Sequence, residues 1–216
     1  MFNEIDILSR KDKQQLIKIR NNITSFKDLI SEQEYQKFFK SNFSFCIRNE
    51  FTHNIGWWLL TRRNIYILSE IFDNKKILSI GAGMGYGEKW TEKINNSIKF
   101  IITDKGKSGY FNHTLPLWVK RIEGLKALKK YQKQVDMIFL AWPPYNSNLA
   151  FNILKNLEYD KPLVVIGEGL GGCVANDDFW EEIEDDKKYK VKEIFDFDSF
   201  NGINDYITII EKIKIH

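Results

Sequence analysis

The chain has 216 residues, 43% hydrophobic and 28% charged, which suits one large domain or one domain with an appendage and excludes a disordered chain unable to offset its ordering entropy. Lys and Arg outnumber Asp and Glu by 32 to 29, a net charge of +3, too even to imply a nucleic-acid partner by itself. Cys46 and Cys173 lie far apart, and the histidines at 53, 113 and 216 form no ligand cluster, so neither a disulfide framework nor a metal is expected. The N-terminus carries acids and lacks the apolar core of a secretory leader. Apolar runs fall well short of the ~20 residues of a membrane span. A soluble, cytoplasmic protein that engages no membrane is the expectation.

Residues 1–54 read as a helical N-terminal extension, with helices at Lys11–Arg20 and Ser31–Lys40. Ser31 and Glu34 fit a capping box ahead of Phe38 and Phe39. A longer helix is expected over Trp57–Phe72, burying Trp58, Leu59, Ile65, Leu68, Ile71 and Phe72. Residues 55–216 then form a second unit, in which strands and helices alternate. Strands are expected at Lys76–Ile80, Lys99–Thr103, Leu117–Lys120, Val135–Ala141 and Leu163–Ile166, and helices at Gly87–Ile94, Gly124–Tyr131 and Asn148–Leu157. Continuous apolar runs such as MIFLA and LVVI suit a parallel sheet covered on both faces. The alternation implies right-handed βαβ crossovers and a Rossmann-like, doubly wound α/β sheet. Two last strands, Tyr189–Phe197 and Asp205–Lys214, have no helix between them and carry a turn signal at Asn201-Gly202, so they are expected to pair as an antiparallel hairpin.

The strongest chemical signal is ILSIGAGMGYG, residues 77–87. A buried strand runs into Gly81, Ala82, Gly83 and Gly85 and then into a helix. Glycine removes the Cβ that would keep a ligand from the backbone, and the place is the carboxyl end of the first strand, where open α/β sheets bind nucleotides. Tyr86 occupies the third glycine position of G-x-G-x-x-G, so the loop reads G-x-G-x-G, which suits S-adenosylmethionine (SAM) better than a dinucleotide; it also lacks the Lys-Ser/Thr ending of a P-loop. Asp104 ends the next strand, 23 positions after Gly81, near the ~20 expected of an acid that accepts from ribose hydroxyls. Glu123 follows the third strand and either meets the adenine amino group or serves as a helix N-terminal acid.

The fourth strand ends in Ala141-Trp142-Pro143-Pro144-Tyr145. Two prolines stop the sheet ladder and make a rigid corner beside the glycine loop. A parallel sheet with a terminal hairpin resembles the class I SAM-dependent methyltransferases. The corner resembles the Asp/Asn/Ser-Pro-Pro-Tyr motif of amino-methyltransferases that act on nucleic-acid bases. There the first side chain and a proline carbonyl accept from the target amine, and the aromatic ring stacks on the base. Pro143, Pro144 and Tyr145 match, whereas Trp142 has an indole N–H that donates and cannot accept. Residues ~54–184 further resemble a poorly characterised methyltransferase-like family, through the aromatic segment from Trp57, GAGMGYGEKW, ITDK, AWPPYNSNLA and VVIGEGLGGCVANDDFW.

This resemblance implies SAM as cofactor, held by Gly81, Ala82, Gly83, Gly85, Tyr86, Asp104, Glu123 and Ala141. The residues point to methyl transfer to an unidentified acceptor at Trp142, Pro143, Tyr145 and Glu168, with two classes open: an amino nitrogen of a base or nucleoside, which fits Pro-Pro-Tyr but not Trp142, and a small molecule or protein side chain, which fits the near-neutral charge. Ser79 stands where many such enzymes carry an acid for the methionine amine. Glu168 is either a substrate ligand or general base, or a hydrogen-bonded loop carboxylate. Cys173 reads as packed in a turn and Trp180 as core, while His113 reads as a loop residue. Trp57 and Trp58 share two roles, one covering the cofactor and one packing. A noncatalytic SAM-fold protein is the alternative. An NAD-dependent oxidoreductase is disfavoured by Tyr86 and by the hairpin.

Overall fold

In the computed structural model, which describes residues 8–41, 44–106 and 114–214, four helices precede the first strand. Helix α1 (Arg10–Thr24) is capped by the Ser9 hydroxyl, which accepts from Asp12 N, and buries Ile19 and Ile23. Helix α2 (Glu32–Glu34) starts with the expected capping box. The Ser31 hydroxyl accepts from Glu34 N, and the Glu34 carboxylate accepts from Ser31 N. It widens into a π-type turn over Tyr35–Phe39 that buries Tyr35, Phe38 and Phe39. Helix α3 (Ser44–Asn54), which the sequence reading passed over, follows.

Helix α4 (Arg62–Ile71) corrects the expected Trp57–Phe72 helix. The Thr61 hydroxyl accepts from Asn64 N and fixes the start there. Ile30 and Thr61 form a parallel bridge, and residues 57–60 lead to it outside any helix, with a bend at 57–58. The apolar pattern continued through these residues because they are buried by neighbouring segments, not because they are helical.

The sheet has seven strands: β1 (Lys76–Ile80), β2 (Lys99–Asp104), β3 (Lys120–Arg121), β4 (Met137–Ala141), β5 (Leu163–Gly167), β6 (Tyr189–Ile194) and β7 (Tyr206–Lys212). Their order is β3-β2-β1-β4-β5-β7-β6. The first five are parallel, and β7 is antiparallel to both β5 and β6. This is the class I methyltransferase arrangement with its terminal hairpin. The expected third strand, Leu117–Lys120, is replaced by the short β3; Leu117 is fully exposed and pairs with nothing in the ladder. A short strand suffices at this edge, where no further neighbour follows.

Helices α5 (Tyr86–Ile94), α6 (Gly124–Tyr131), α7 (Leu149–Lys155) and α8 (Asp177–Ile183) complete the chain. The path moves outward from β1 to β3, then jumps back past β1 to β4. Right-handed crossovers therefore put α5 on one face and α6 and α7 on the other. The contacts agree, since α4 packs on α5, α6 on α7, and α7 on α8. That reversal of direction opens a crevice at the carboxyl ends of β1 and β4.

The N-terminal helices share a continuous apolar core with the sheet, running from Ile19, Ile23 and Phe39 to Ile77, Phe139 and Ile166. Trp90 of α5 donates its indole N–H to Ile23 O at 3.0 Å. The connection from β6 to β7 reaches back to the same region. Tyr35 Oη donates to Ser199 O at 3.2 Å, and Asn201 N donates to Phe39 O at 2.9 Å. Asn64 clamps Asp198 on both sides, accepting from its N at 2.8 Å and donating to its O at 2.8 Å, while Thr61 Oγ1 donates to the Asp198 carboxylate at 2.7 Å. Asn201-Gly202 forms the expected turn, with Gly202 at φ +80°.

Candidate cofactor and acceptor cavity

A cavity of about 1010 Å³ occupies the crevice. Gly81, Ala82, Gly83 and Tyr86 form its floor, Asp104, Lys105 and Glu123 one end, and Trp142, Tyr145 and Cys173 the other. Arg48, Gly56, Trp57 and Trp58 reach it from the N-terminal segment. Of the residues expected to hold cofactor or acceptor, Gly85, Pro143 and Glu168 stand outside this lining.

The glycine loop leaves β1 through three left-handed residues, Gly81 at φ +72°, Gly83 at +57° and Gly85 at +67°. A side chain is disfavoured in that conformation. Gly85 is also the N-cap of α5, and a Cβ there would lie 2.9 Å from Ile102 Cγ2. The loop is pinned from β2: Ala82 N donates to Thr103 O at 3.1 Å and Gly83 N to Asp104 Oδ2 at 2.9 Å. Asp104 is 8% exposed, and its other oxygen accepts from Gly106 N at 2.7 Å. Each carboxylate oxygen has a second lone pair, which leaves acceptor capacity facing the cavity.

One acid was missed by the sequence reading. Glu88, in the first turn of α5, is 3% exposed and lines the cavity. The Ser79 hydroxyl donates to Glu88 Oε1 at 2.6 Å. Burial pushes the Glu88 carboxyl up to about 7, against the opposing pull of the Ser79 hydrogen bond. Ser79 is thus not exposed to a ligand; it orients a carboxylate supplied from the helix. The available signal was a hydroxyl at the end of β1 together with a Glu three residues beyond Gly85.

Glu123 is the N-cap of α6, accepting from Leu125 N at 3.1 Å and Lys126 N at 3.2 Å, and it also borders the cavity. Its contacts are those of the helix N-terminal reading. Ala141, the last residue of β4, lines the cavity as well.

Beyond Ala141 the backbone turns sharply, with Trp142 in the left-handed region at φ +52°. Trp142 is buried, and its indole N–H donates to Asp205 Oδ1 at 2.9 Å. Burial raises the Asp205 carboxyl to about 7, partly offset by that hydrogen bond. The Pro143 carbonyl accepts from Ala175 N at 2.8 Å, within an antiparallel bridge between Pro144 and Val174. Tyr145 is 47% exposed over the cavity mouth, and its hydroxyl donates to Asp177 Oδ2 at 3.4 Å.

Glu168 takes the loop-carboxylate reading in its contacts. Its Oε2 accepts from Cys173 N at 3.3 Å and its Oε1 from Asn204 N at 3.4 Å. Cys173, expected to pack in a turn, is instead exposed and borders the cavity, because the Gly-rich segment before it folds back onto Glu168. Trp180 is core, as expected, with its indole N–H donating to Val174 O. Trp58 is buried against α5, and Trp57 is half-buried and stacked on Trp142, so both pack and both also line the cavity. His113 lies outside the described residues. Among the described residues no group of three or more His, Cys, Asp or Glu is placed to hold a metal, and no helix is long and apolar enough to cross a membrane.

The strand order, the left-handed glycine loop and the acid at the end of β2 together define a chain with the class I methyltransferase fold. No protein-family model and no curated protein matches the sequence. Among solved structures, the chain is similar to the Bacillus subtilis m1A22 tRNA methyltransferase TrmK, with 13% identity over 70% of this chain and a TM-score of 0.47. It spans 66% of that protein, just under two thirds of its length. It is also similar to the SAM-dependent O-methyltransferase TM0748 of Thermotoga maritima, with 11% identity over 73% of this chain and 68% of that one, at a TM-score of 0.46. MtNAS, solved in complex with MTA and tNA, matches 97% of this chain and 79% of its own at 10% identity and a TM-score of 0.47.

Proposed function

We propose that the chain is a SAM-dependent methyltransferase acting on an amino nitrogen or similar nucleophile of a base, nucleoside or small molecule. The observation that carries this reading is the pairing of Gly83 N with the Asp104 carboxylate on the floor of a large cavity. It puts a backbone free of side chains and an acid with spare lone pairs side by side, the requirement of a nucleoside ribose. The cavity also suits a cation, since Glu88, Asp104 and Glu123 line it against Arg48 and Lys105.

When bound, SAM supplies an electrophilic methyl group on a sulfonium. The residues of the chain then bind and orient. Asp104 accepts from the ribose hydroxyls, Glu123 borders the adenine end, and Glu88 offers a carboxylate to the methionine ammonium. Trp57 and Tyr145 present flat faces to the acceptor. Holding both partners at near-attack distance is the main contribution asked of the protein, because it replaces a bimolecular encounter.

Calorimetry with SAM, S-adenosylhomocysteine and NAD tests the cofactor. Binding of the two sulfur nucleosides with no binding of NAD is expected; failure to bind S-adenosylhomocysteine sinks the reading. Asp104→Ala is expected to weaken S-adenosylhomocysteine at least ~10-fold, through two lost hydroxyl contacts to a charged acceptor.

A further inference from the structure

We propose that the acceptor end of this cavity is a site for a single carboxylate, bound by Arg48, so that the methyl acceptor is a small aromatic acid. The identity of the cavity rests on the methyltransferase reading; the carboxylate rests on observations of its own.

Arg48 projects from α3 into the cavity. Its guanidinium carbon lies 5.0 Å from the Trp142 ring centre and 5.7 Å from that of Trp57, and these two rings stack 5.6 Å apart at 20°. Ring faces fix the orientation of a guanidinium without using its N–H groups. Among the described residues no hydrogen bond joins those donors to a protein acceptor. Nε is buried with no hydrogen-bond partner, and Arg48 makes no ion pair among the described residues. Three other arginines of the N-terminal half are paired: Arg20 with Glu50, Arg62 with Asp28, and Arg63 with Asp196.

Asp205 is near enough for Arg48 to lower its pKa, yet it bonds Trp142 instead, and its other oxygen is also unpartnered. A guanidinium left this way in a recess is stabilised by a ligand that brings oxygens to its fork. Position separates this site from the ribose end. Arg48 stacks on the residue after β4, whereas Asp104 ends β2, and β1 runs between those two strands.

Of the two cations among the described cavity residues, Lys105 follows Asp104 at the ribose end, which leaves Arg48 for the acceptor and makes one carboxylate a better match than a phosphate or a polyanion. The exposed ring of Tyr145 supplies a face an aromatic ring would use.

The experiment titrates 4-aminobenzoate, 4-aminobenzamide and inorganic phosphate into the protein with and without S-adenosylhomocysteine, for wild type, Arg48→Gln and Arg48→Lys. The benzoate is expected to bind at least ~10-fold tighter than the amide, the scale of a charge-assisted hydrogen bond. R48Q loses that preference, R48K keeps part of it, and phosphate stays weaker than the benzoate. Equal binding of acid and amide, no binding of either, or a preference that survives R48Q overturns the proposal; tighter phosphate binding also overturns it. A loss of S-adenosylhomocysteine affinity in R48Q with 5′-methylthioadenosine unaffected assigns Arg48 to the cofactor's own carboxylate and overturns it too. Failure of wild type to bind S-adenosylhomocysteine sinks the cofactor reading alone, since the acid and amide are also compared on the free protein.

Discussion

Two buried carboxyls, Glu88 and Asp205, are both held near 7 by desolvation, well above their ordinary values of 4.5 and 3.8. A carboxyl whose folded pKa is raised binds its proton more tightly when folded. The stability it confers is therefore complete below the unfolded pKa and is lost as pH rises toward 7. For Glu88 that window runs from 4.5 to about 7. Urea midpoints should fall across it, and Glu88→Gln should flatten the fall by on the order of 2–3 kcal/mol. Midpoints of wild type and variant measured between pH 5 and 8 check this; parallel curves would remove Glu88 as the source. Asp205→Asn keeps an oxygen for the Trp142 indole and should flatten a similar portion of the curve. The Ser79–Glu88 pairing was legible in the sequence only as a hydroxyl and an acid nine positions apart. Ser79 marked the place where a charge was missing, but only the folding of α5 over the end of β1 brings a carboxylate back to it.

Among the elements, the helices and strands with a strong period or a capping box were legible. Ser31 with Glu34, the apolar β4 and β5, and the terminal hairpin each carry their own local cause. The stretch 57–60 did not, because its burial comes from Gly87 and the residues around it. A Cβ on Gly87 would lie 2.2 Å from the Trp58 ring. Gly87→Ala should accordingly cost about 1–3 kcal/mol by overpacking, despite alanine's better helix propensity. A chemical-denaturation midpoint that rises instead would show that Trp58 has room to move. Asn64 makes a second such junction, with two bonds to the Asp198 backbone and its own N–H on Thr61. Asn64→Ala strips both backbone groups of partners and should cost about 2–4 kcal/mol. The glycine loop and Asp104 could be read ahead of the structure because backbone conformation imposes them. Arg48 could not, since nothing in α3 announces which cavity it enters.

At the scale of the whole molecule, the N-terminal helices and the sheet share one apolar core. We propose that residues 1–54 are an extension on which the rest depends. A chain beginning at residue 55 would expose the faces of α5 and of the β6–β7 connection that Ile23, Tyr35 and Phe39 cover. Loss of a single cooperative thermal transition is expected for it, and retention of one at an unchanged midpoint would show that the extension is independent. The same arrangement has a consequence for synthesis. Tyr35 bonds Ser199, 164 positions later, and Asn64 bonds Asp198, 134 positions later. On a ribosome Tyr35 and Asn64 emerge well before these partners and wait, uncovered, until residues 198 and 199 have been released. Contacts of such long range make closure slow and leave the waiting surface open to aggregation, so production of this protein should depend on chaperone supply more steeply than its size suggests.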